Sequence, residues 1–129
     1  MKLNTLLQIS LLLMALLAVS ACGPEPENQK SLLYGKWELE AATRNGSPTE
    51  SLAGLYFEFR KDGSMDTNLP AAPGDSRYEI KGKSLQQING PNKLEYTIQE
   101  LNDSDLLLTT ELRNTSFSFQ LKRQTATQE

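Results

Sequence analysis

Histidine is absent from this 129-residue sequence, and cysteine occurs only once. These two absences exclude a Ser-His-Asp triad, a Cys-His pair, a His/Cys zinc site and an intramolecular disulfide. Positive charge is also scarce, because 13 Lys and Arg against 16 Asp and Glu give a formal charge of −3. Nucleic-acid-binding surfaces carry excess positive charge, so we expect no nucleic-acid partner. We also expect no metal and no cofactor.

The N-terminal segment has the composition of an export signal. After a weakly positive start, residues 11–19 form an unbroken run of nine apolar residues, followed by the small Ser20 and Ala21. A helix that crosses a bilayer needs about 20 apolar residues, so this run is too short for a comfortable permanent span. The pattern predicts a signal peptide at residues 1–21 that is removed after export.

The end of this leader, Val19-Ser20-Ala21-Cys22, resembles the lipobox of bacterial lipoproteins, whose cysteine sulfur receives diacylglycerol before cleavage. The resemblance implies lipid attachment at Cys22 and a place in the bacterial cell envelope. Two or three acyl chains such as palmitate hold a protein on a membrane stably, whereas one chain does so marginally. Gly23 stands where inner-membrane retention signals have Asp, which favours the outer membrane. The alternative is a secreted protein with a free thiol at Cys22.

Three further segments follow from composition and periodicity. Residues 22–31 contain the cysteine and a polar stretch with two prolines, which predicts a flexible, extended tether. Residues 32–124 are the expected folded domain, and residues 125–129 are an expected disordered tail. No stretch after the leader has helical spacing long enough to need a helix.

From residue 34 onward, apolar and polar residues alternate with the period of two that is typical of half-buried strands. The pattern is all-β and predicts an eight-stranded antiparallel up-and-down barrel, which buries every apolar face and leaves no open edge. A two-sheet sandwich is the alternative. We expect a type I′ turn at Asp62-Gly63 and a bulge or strand end near Gln86-Gln87. The predicted strands are 34–43, 54–61, 64–69, 76–81, 83–88, 93–100, 105–112 and 115–123.

Gly35-Lys36-Trp37, at the start of the first strand, resembles the G-x-W signature of lipocalins. Lys122-Arg123, at the end of the last strand, resembles the basic residue that covers this tryptophan in the same superfamily. The layout of Leu32 to Arg123 is similar to that of the small lipocalin-like domains of bacterial lipoproteins. Antiparallel pairing of the first and last strands would independently bring Trp37 and Arg123 to one rim. We therefore predict a structural plug made by Gly35, Trp37 and Arg123.

The opposite rim carries the longer loops and is the expected mouth of the barrel. There we expect a small apolar or amphipathic ligand, held by inward-facing residues. The predicted ligand-binding residues are Ala41, Phe57, Leu69, Tyr78, Tyr96, Thr110, Leu112 and Phe117, with Thr43 and Thr67 at the same end.

An eight-stranded barrel is either filled by its side chains or just wide enough for one small ligand, and strand count does not decide between them. The first hypothesis is therefore a lipid-anchored envelope protein that binds a small molecule. The alternative is an envelope module with a filled interior that contacts a protein partner through its loops. Carboxylates such as Glu38 and Glu40 alternate onto the solvent face, so we expect no enzymatic activity.

Overall fold

The computed structural model of the protein describes residues 26–125. Helix α1 (Pro26–Leu33) precedes nine strands. Within the described residues, α1 is the one helix, and it is too short and too polar to cross a bilayer. The strands are β1 (Gly35–Arg44), β2 (Ser47–Thr49), β3 (Tyr56–Phe59), β4 (Ser64–Thr67), β5 (Gly74–Lys81), β6 (Ser84–Asn89), β7 (Asn92–Leu101), β8 (Asp105–Leu112) and β9 (Thr115–Arg123).

The strands form one antiparallel sheet that closes on itself. The order is β2-β1-β3-β4-β5-β6-β7-β8-β9, and an additional β1–β9 pairing joins the two ends. Strand β1 is long enough to pair with β9 on one side and with both β3 and β2 on the other. Eight strands thus make the barrel and β2 is an extra strand at its rim. The predicted eight-stranded barrel is confirmed, and the sandwich alternative is wrong.

Two turns differ from their predicted form. The sequence predicted a long connection after β1, but Asn45 and Gly46 adopt φ of 50° and 82° and lead directly into β2. Positive φ at both central residues is the mark of a type I′ hairpin, for which Asn-Gly is a strong signal. At Asp62-Gly63 the predicted type I′ turn is wrong, because only Gly63 has positive φ. There the Gly63 N–H donates to the Arg60 carbonyl at 3.2 Å, which makes a longer turn.

A β-bulge in β1 reverses the alternation of its side chains. The register with β9 shifts between Leu39 and Ala41, so that Ala42, not Ala41, faces the core. Ala42 is 5% exposed, whereas Ala41 lies on the surface. The prediction that Ala41 and Thr43 point into the barrel is therefore wrong, because one extra residue in a strand moves every later side chain to the opposite face.

The bulge predicted near Gln86-Gln87 is absent, and this prediction is wrong. Strand β6 pairs without interruption with both neighbours, and it directs Gln87 inward with only 2% of its surface exposed. The buried amide is tolerated because its hydrogen bonds are made. Gln87 Nε2 donates to the Ala72 carbonyl at 2.9 Å and to Ser76 Oγ at 3.1 Å, and the Tyr96 hydroxyl donates to Gln87 Oε1 at 2.8 Å.

Helix α1 occupies most of the segment that was predicted to be an extended tether, so that prediction is wrong for residues 26–31. The helix lies against one end of the barrel, where Leu33 is fully buried and Gln29 Nε2 donates to the Gly82 carbonyl at 2.6 Å. An eight-residue polar helix is unstable alone and depends on such tertiary contacts. Residues 22–25 lie outside the described residues, as do residues 126–129 of the predicted tail.

Candidate functional site

One end of the barrel is closed by a stacked arginine and tryptophan. The Arg123 guanidinium carbon lies 4.3 Å from the centre of the buried Trp37 ring. Its nitrogens donate to three backbone carbonyls, those of Leu32, Tyr34 and Asp103, and Trp37 Nε1 donates to the Leu33 carbonyl at 2.9 Å. The plug residues therefore connect α1 to both β1 and β9 and cover this end of the barrel.

Gly35 is part of this closure because its backbone conformation and its contact with Arg123 both disfavour a side chain there. Its φ of +119° is a conformation that side chains disfavour, and a Cβ there would come within 2.8 Å of an Arg123 guanidinium nitrogen. The glycine thus leaves room for the Arg123 side chain to pass beside the backbone of residue 35 and reach the Trp37 ring. Gly35, Trp37 and Arg123 lie together, as the sequence pattern predicted for a structural plug.

The middle of the barrel is filled by side chains. The fully buried Phe57 ring packs edge-on against Tyr96 at 5.6 Å and tilted against Phe119 at 6.1 Å, as measured between ring centres. Burial raises the pKa of the Tyr96 hydroxyl well above its usual value. Thr110 Oγ1 donates to the Glu95 carbonyl at 2.7 Å, so its hydroxyl is already used. These residues form the floor beneath the mouth.

Tyr78 points toward the plugged end, not the mouth. Its hydroxyl donates to the Arg60 carbonyl at 2.8 Å, and the Lys30 ammonium of α1 lies 5.9 Å from its ring centre. Burial is the main cause that raises the pKa of Tyr78 to about 12. The prediction that Tyr78 lies near the mouth is wrong, because its ring extends along the barrel axis toward the turn between β3 and β4.

The mouth at the other end contains an open depression of about 560 Å³. Such a volume is within the range of small-molecule sites. The depression is bordered by the ends of β1, β8 and β9, by the loop after β2 and by the loop between β4 and β5. Its lining residues are Arg44, Leu52, Leu69, Pro70, Ala71, Leu112, Arg113, Thr115 and Phe117.

The lining combines an apolar floor with two positive charges. Leu69 is buried, while Leu52, Leu112 and Phe117 are half-buried and keep apolar surface open to the depression. The Arg44 guanidinium carbon lies 6.0 Å from the centre of the Phe117 ring. Within residues 26–125, no acidic side chain lines the depression. The arrangement suits a molecule with an apolar body and is unsuited to a cation.

Three of the predicted ligand-binding residues, Leu69, Leu112 and Phe117, line this depression. The other predicted residues do not: Ala41 is on the outer surface, and the rest are part of the packed interior, namely Phe57, Tyr78, Tyr96 and Thr110. Cys22, the predicted lipid attachment residue, lies outside the described residues. In residues 26–125, no three acidic side chains are grouped closely enough to hold a metal ion.

Sequence reasoning missed both arginines of the depression. Arg44 reaches the mouth only because of the bulge in β1, which strict alternation cannot anticipate. Arg113 lies in the two-residue turn between β8 and β9, where it and Asn114 adopt positive φ of 51° and 64°. A loop residue between two predicted strands at the mouth is a candidate by position alone, and that signal was available.

Comparisons with known proteins support this architecture. No protein-family model matches the sequence, and no curated protein matches it either. A solved lipocalin-like protein from Bacteroides uniformis matches with a TM-score of 0.54 and 19% identity, over 72% of this chain and 99% of that one. An uncharacterized protein from Bacteroides eggerthii matches with a TM-score of 0.54 and 13% identity, over 71% and 99%. At such low identities the likeness concerns the fold, and the barrel described here is lipocalin-like.

Proposed function

We propose that this protein is a lipid-anchored protein of the bacterial cell envelope whose barrel mouth binds a small apolar or amphipathic molecule. The observation that carries the binding proposal is the depression of about 560 Å³ with its half-buried Leu52, Leu112 and Phe117. Apolar side chains that stay partly exposed in a concave surface gain free energy when a ligand covers them, at about 25 cal/mol per Å². The lipocalin-like fold supports the same proposal.

The filled interior sets the depth of the proposed site. Phe57 and Tyr96 are fully buried below the depression, so a ligand rests on this floor and does not enter the middle of the barrel. We therefore propose a shallow site, in which one side of the bound molecule stays in contact with water. Such a site suits a molecule that is itself amphipathic.

The proposed anchor is compatible with this position of the site. Cys22 is four residues before Pro26 in the sequence, and four residues span at most about 14 Å when fully extended. Helix α1 covers the plugged end, so a lipid on Cys22 would hold that end toward the bilayer. The mouth would then point away from the membrane and receive its ligand from the aqueous side.

Two leucines of β8 provide a matched test of the binding proposal. Leu112 lines the depression, whereas Leu107 is also half-buried but lies on the outer face of the same strand. In a titration with a neutral apolar fluorophore, Leu112→Gln should weaken binding by about tenfold, the factor for ~1.4 kcal/mol of lost apolar contact. Leu107→Gln should leave binding unchanged. Equal affinity of both variants and the original chain would contradict the proposal.

The anchor is tested separately from the site. The full-length chain, expressed in a bacterium supplied with an alkyne-labelled palmitate, should become labelled and should fractionate with membranes. The variant Cys22→Ser should lose both the label and the membrane association. Label that persists in Cys22→Ser, or an unlabelled original chain, would contradict lipid attachment at this residue.

The packed interior also favours a second candidate function, an envelope module that contacts a protein partner through its mouth loops. Phe57, Tyr96 and Phe119 already occupy the space in which deeper barrels hold a ligand. The fluorophore titration separates the two functions. Lack of any fluorophore binding by the original chain, together with cross-linking of a partner through a photoreactive group at Ala71, would favour the second one.

A further inference from the structure

We infer that Arg44 and Arg113 together recognise the anionic head group, a carboxylate or a phosphate, of a single-chain amphiphile whose apolar chain lies on Leu112 and Phe117. This inference rests on the proposed binding function and names the class of its ligand. Both arginines and both apolar residues line one depression.

The bulge in β1 gives the first reason. Without the register shift between Leu39 and Ala41, Arg44 would follow the outward side chains of its strand. With the shift, Arg44 pairs across the sheet with Phe117 and lines the depression. Bulges re-aim side chains at the rims of barrels and next to functional sites. Here the re-aimed side chain is a cation.

The backbone at Arg113 gives the second reason. Arg113 takes the first position of the two-residue turn between β8 and β9 with a φ of 51°. Such turns favour Asn, Asp or Gly, because other side chains disfavour positive φ. An arginine there accepts a less favourable backbone conformation at a position that lines the mouth.

The charge around the mouth gives the third reason. The whole chain has a formal charge of −3, yet two arginines and no acidic residue of the described part line the depression. Among the ion pairs within residues 26–125, none involves Arg44 or Arg113. Guanidinium groups bind carboxylates and phosphates in a two-pronged geometry, so an anionic head group would give both arginines an ion-pair partner.

The test compares decanoate with decanol, which has the same chain length and no charge, as competitors of the neutral fluorophore bound to the full chain. Decanoate should bind more tightly than decanol. Arg44→Gln and Arg113→Gln should each weaken decanoate binding about fivefold, the upper range for an exposed ion pair, and should weaken decanol binding clearly less. Arg44→Lys keeps the positive charge and should therefore weaken decanoate binding less than Arg44→Gln does. Higher salt should weaken decanoate binding only.

Three controls test whether binding depends on the depression, whether it needs an apolar chain, and whether a membrane surface can replace the free ligand. Arg77→Gln removes an exposed arginine on the outer face of β5, away from the depression, and should change nothing. Acetate should not compete, because it has a head group and no chain. Vesicles of phosphatidylglycerol should not capture the Cys22→Ser protein through Arg44 or Arg113. Competition by acetate, or arginine-dependent capture by vesicles without decanoate binding, would overturn the inference.

The outcomes separate this inference from the proposed function on which it rests. If decanol competes as well as decanoate, and the two arginine substitutions have no effect, the inference is wrong while the apolar site remains. If neither molecule displaces the fluorophore, or if the fluorophore itself does not bind, both the inference and the proposed binding function are wrong.

Discussion

The substitution Arg123→Met tests how the plugged end is held together. Methionine keeps an unbranched apolar stem of similar reach but removes the guanidinium group. The change therefore eliminates the stacking on Trp37 at 4.3 Å and the hydrogen bonds to the carbonyls of Leu32 and Tyr34. It also removes the bond to the Asp103 carbonyl, but that carbonyl is exposed and can bind water instead.

The expected loss of stability follows from these contacts. A cation stacked on an indole contributes ~0.5 to 2 kcal/mol. Each part-buried carbonyl that loses its donor costs ~1 kcal/mol once partial hydration is allowed for. The sum is about 3 kcal/mol, a large share of the ~5 to 15 kcal/mol that stabilises a whole domain. Helix α1 should loosen at the same time, because two of the lost bonds end at its C-terminus.

The assay is urea denaturation of the full chain, followed by the fluorescence of Trp37, the only tryptophan. With a slope of ~1 to 3 kcal/mol per molar urea, a loss of ~3 kcal/mol lowers the midpoint by about 1 to 3 M. The control Arg77→Met changes an exposed arginine and should stay within ~0.5 kcal/mol of the original chain. Equal midpoints for the two variants would refute the account of the plug.

Three further predictions concern the bulge, the buried amide and the tyrosines. Ala42→Asp should lower the free energy of unfolding by ~3 kcal/mol because it buries a charge. Ala41→Asp, on the surface, should change it by less than ~0.5 kcal/mol. Equal losses of unfolding free energy in the two variants, measured by urea denaturation, would contradict the bulge. Gln87→Ala should lower the free energy of unfolding by ~2 kcal/mol. Tyr96→Phe should lower it less in the Gln87→Ala variant than in the unsubstituted protein. If the two losses are additive in this double-mutant cycle, the hydrogen bond between Tyr96 and Gln87 is contradicted. Burial raises the pKa of Tyr78 to about 12 from 10.0, so its contribution to stability is complete below pH 10 and is lost as the pH rises toward 12. Titration of tyrosinate absorbance should show a late component to which Tyr78 and the buried Tyr96 both contribute, and Tyr78→Phe should make that component smaller. An unchanged curve would contradict the burial of Tyr78.

The barrel was predictable because its physical signal is local and repeated. Alternation such as Phe57, Glu58, Phe59 determines which face of a strand is buried, and closure follows from the need to pair every edge. The proximity of Trp37 and Arg123 followed in turn from pairing the first strand with the last. These inferences needed no knowledge of side-chain packing.

The features that escaped prediction depend on contacts between distant residues. Helix α1 forms where burial of Leu33 under the barrel end outweighs a polar composition that favours an extended chain. The sequence Ala41-Ala42 gives no sign of the bulge, because either alanine fits either face of the strand. Ala41 and Thr43 were therefore assigned to the wrong face. Gln87 looks like a surface residue until its partners are known.

The short hairpin at the mouth is a different case, because its signal was present in the sequence. Asn45-Gly46 is a strong two-residue hairpin signal, and it predicts the return of the chain along β1. The candidate site could be predicted in part for a related reason. Leu112 and Phe117 flank a tight turn at the correct rim, and Arg113 lies in that turn, whereas the role of Arg44 needed the observed backbone.

The most direct test of the proposed site is a titration of the isotope-labelled protein with decanoate, followed by the chemical shifts of its backbone amides. Binding at the mouth predicts shifts at the lining residues that have an amide N–H, those numbered 44, 52, 69, 71, 112, 113, 115 and 117, with none at the plug around Trp37 and Arg123. Shifts concentrated at the plugged end, or no shifts at concentrations where decanoate is monomeric, would contradict the account.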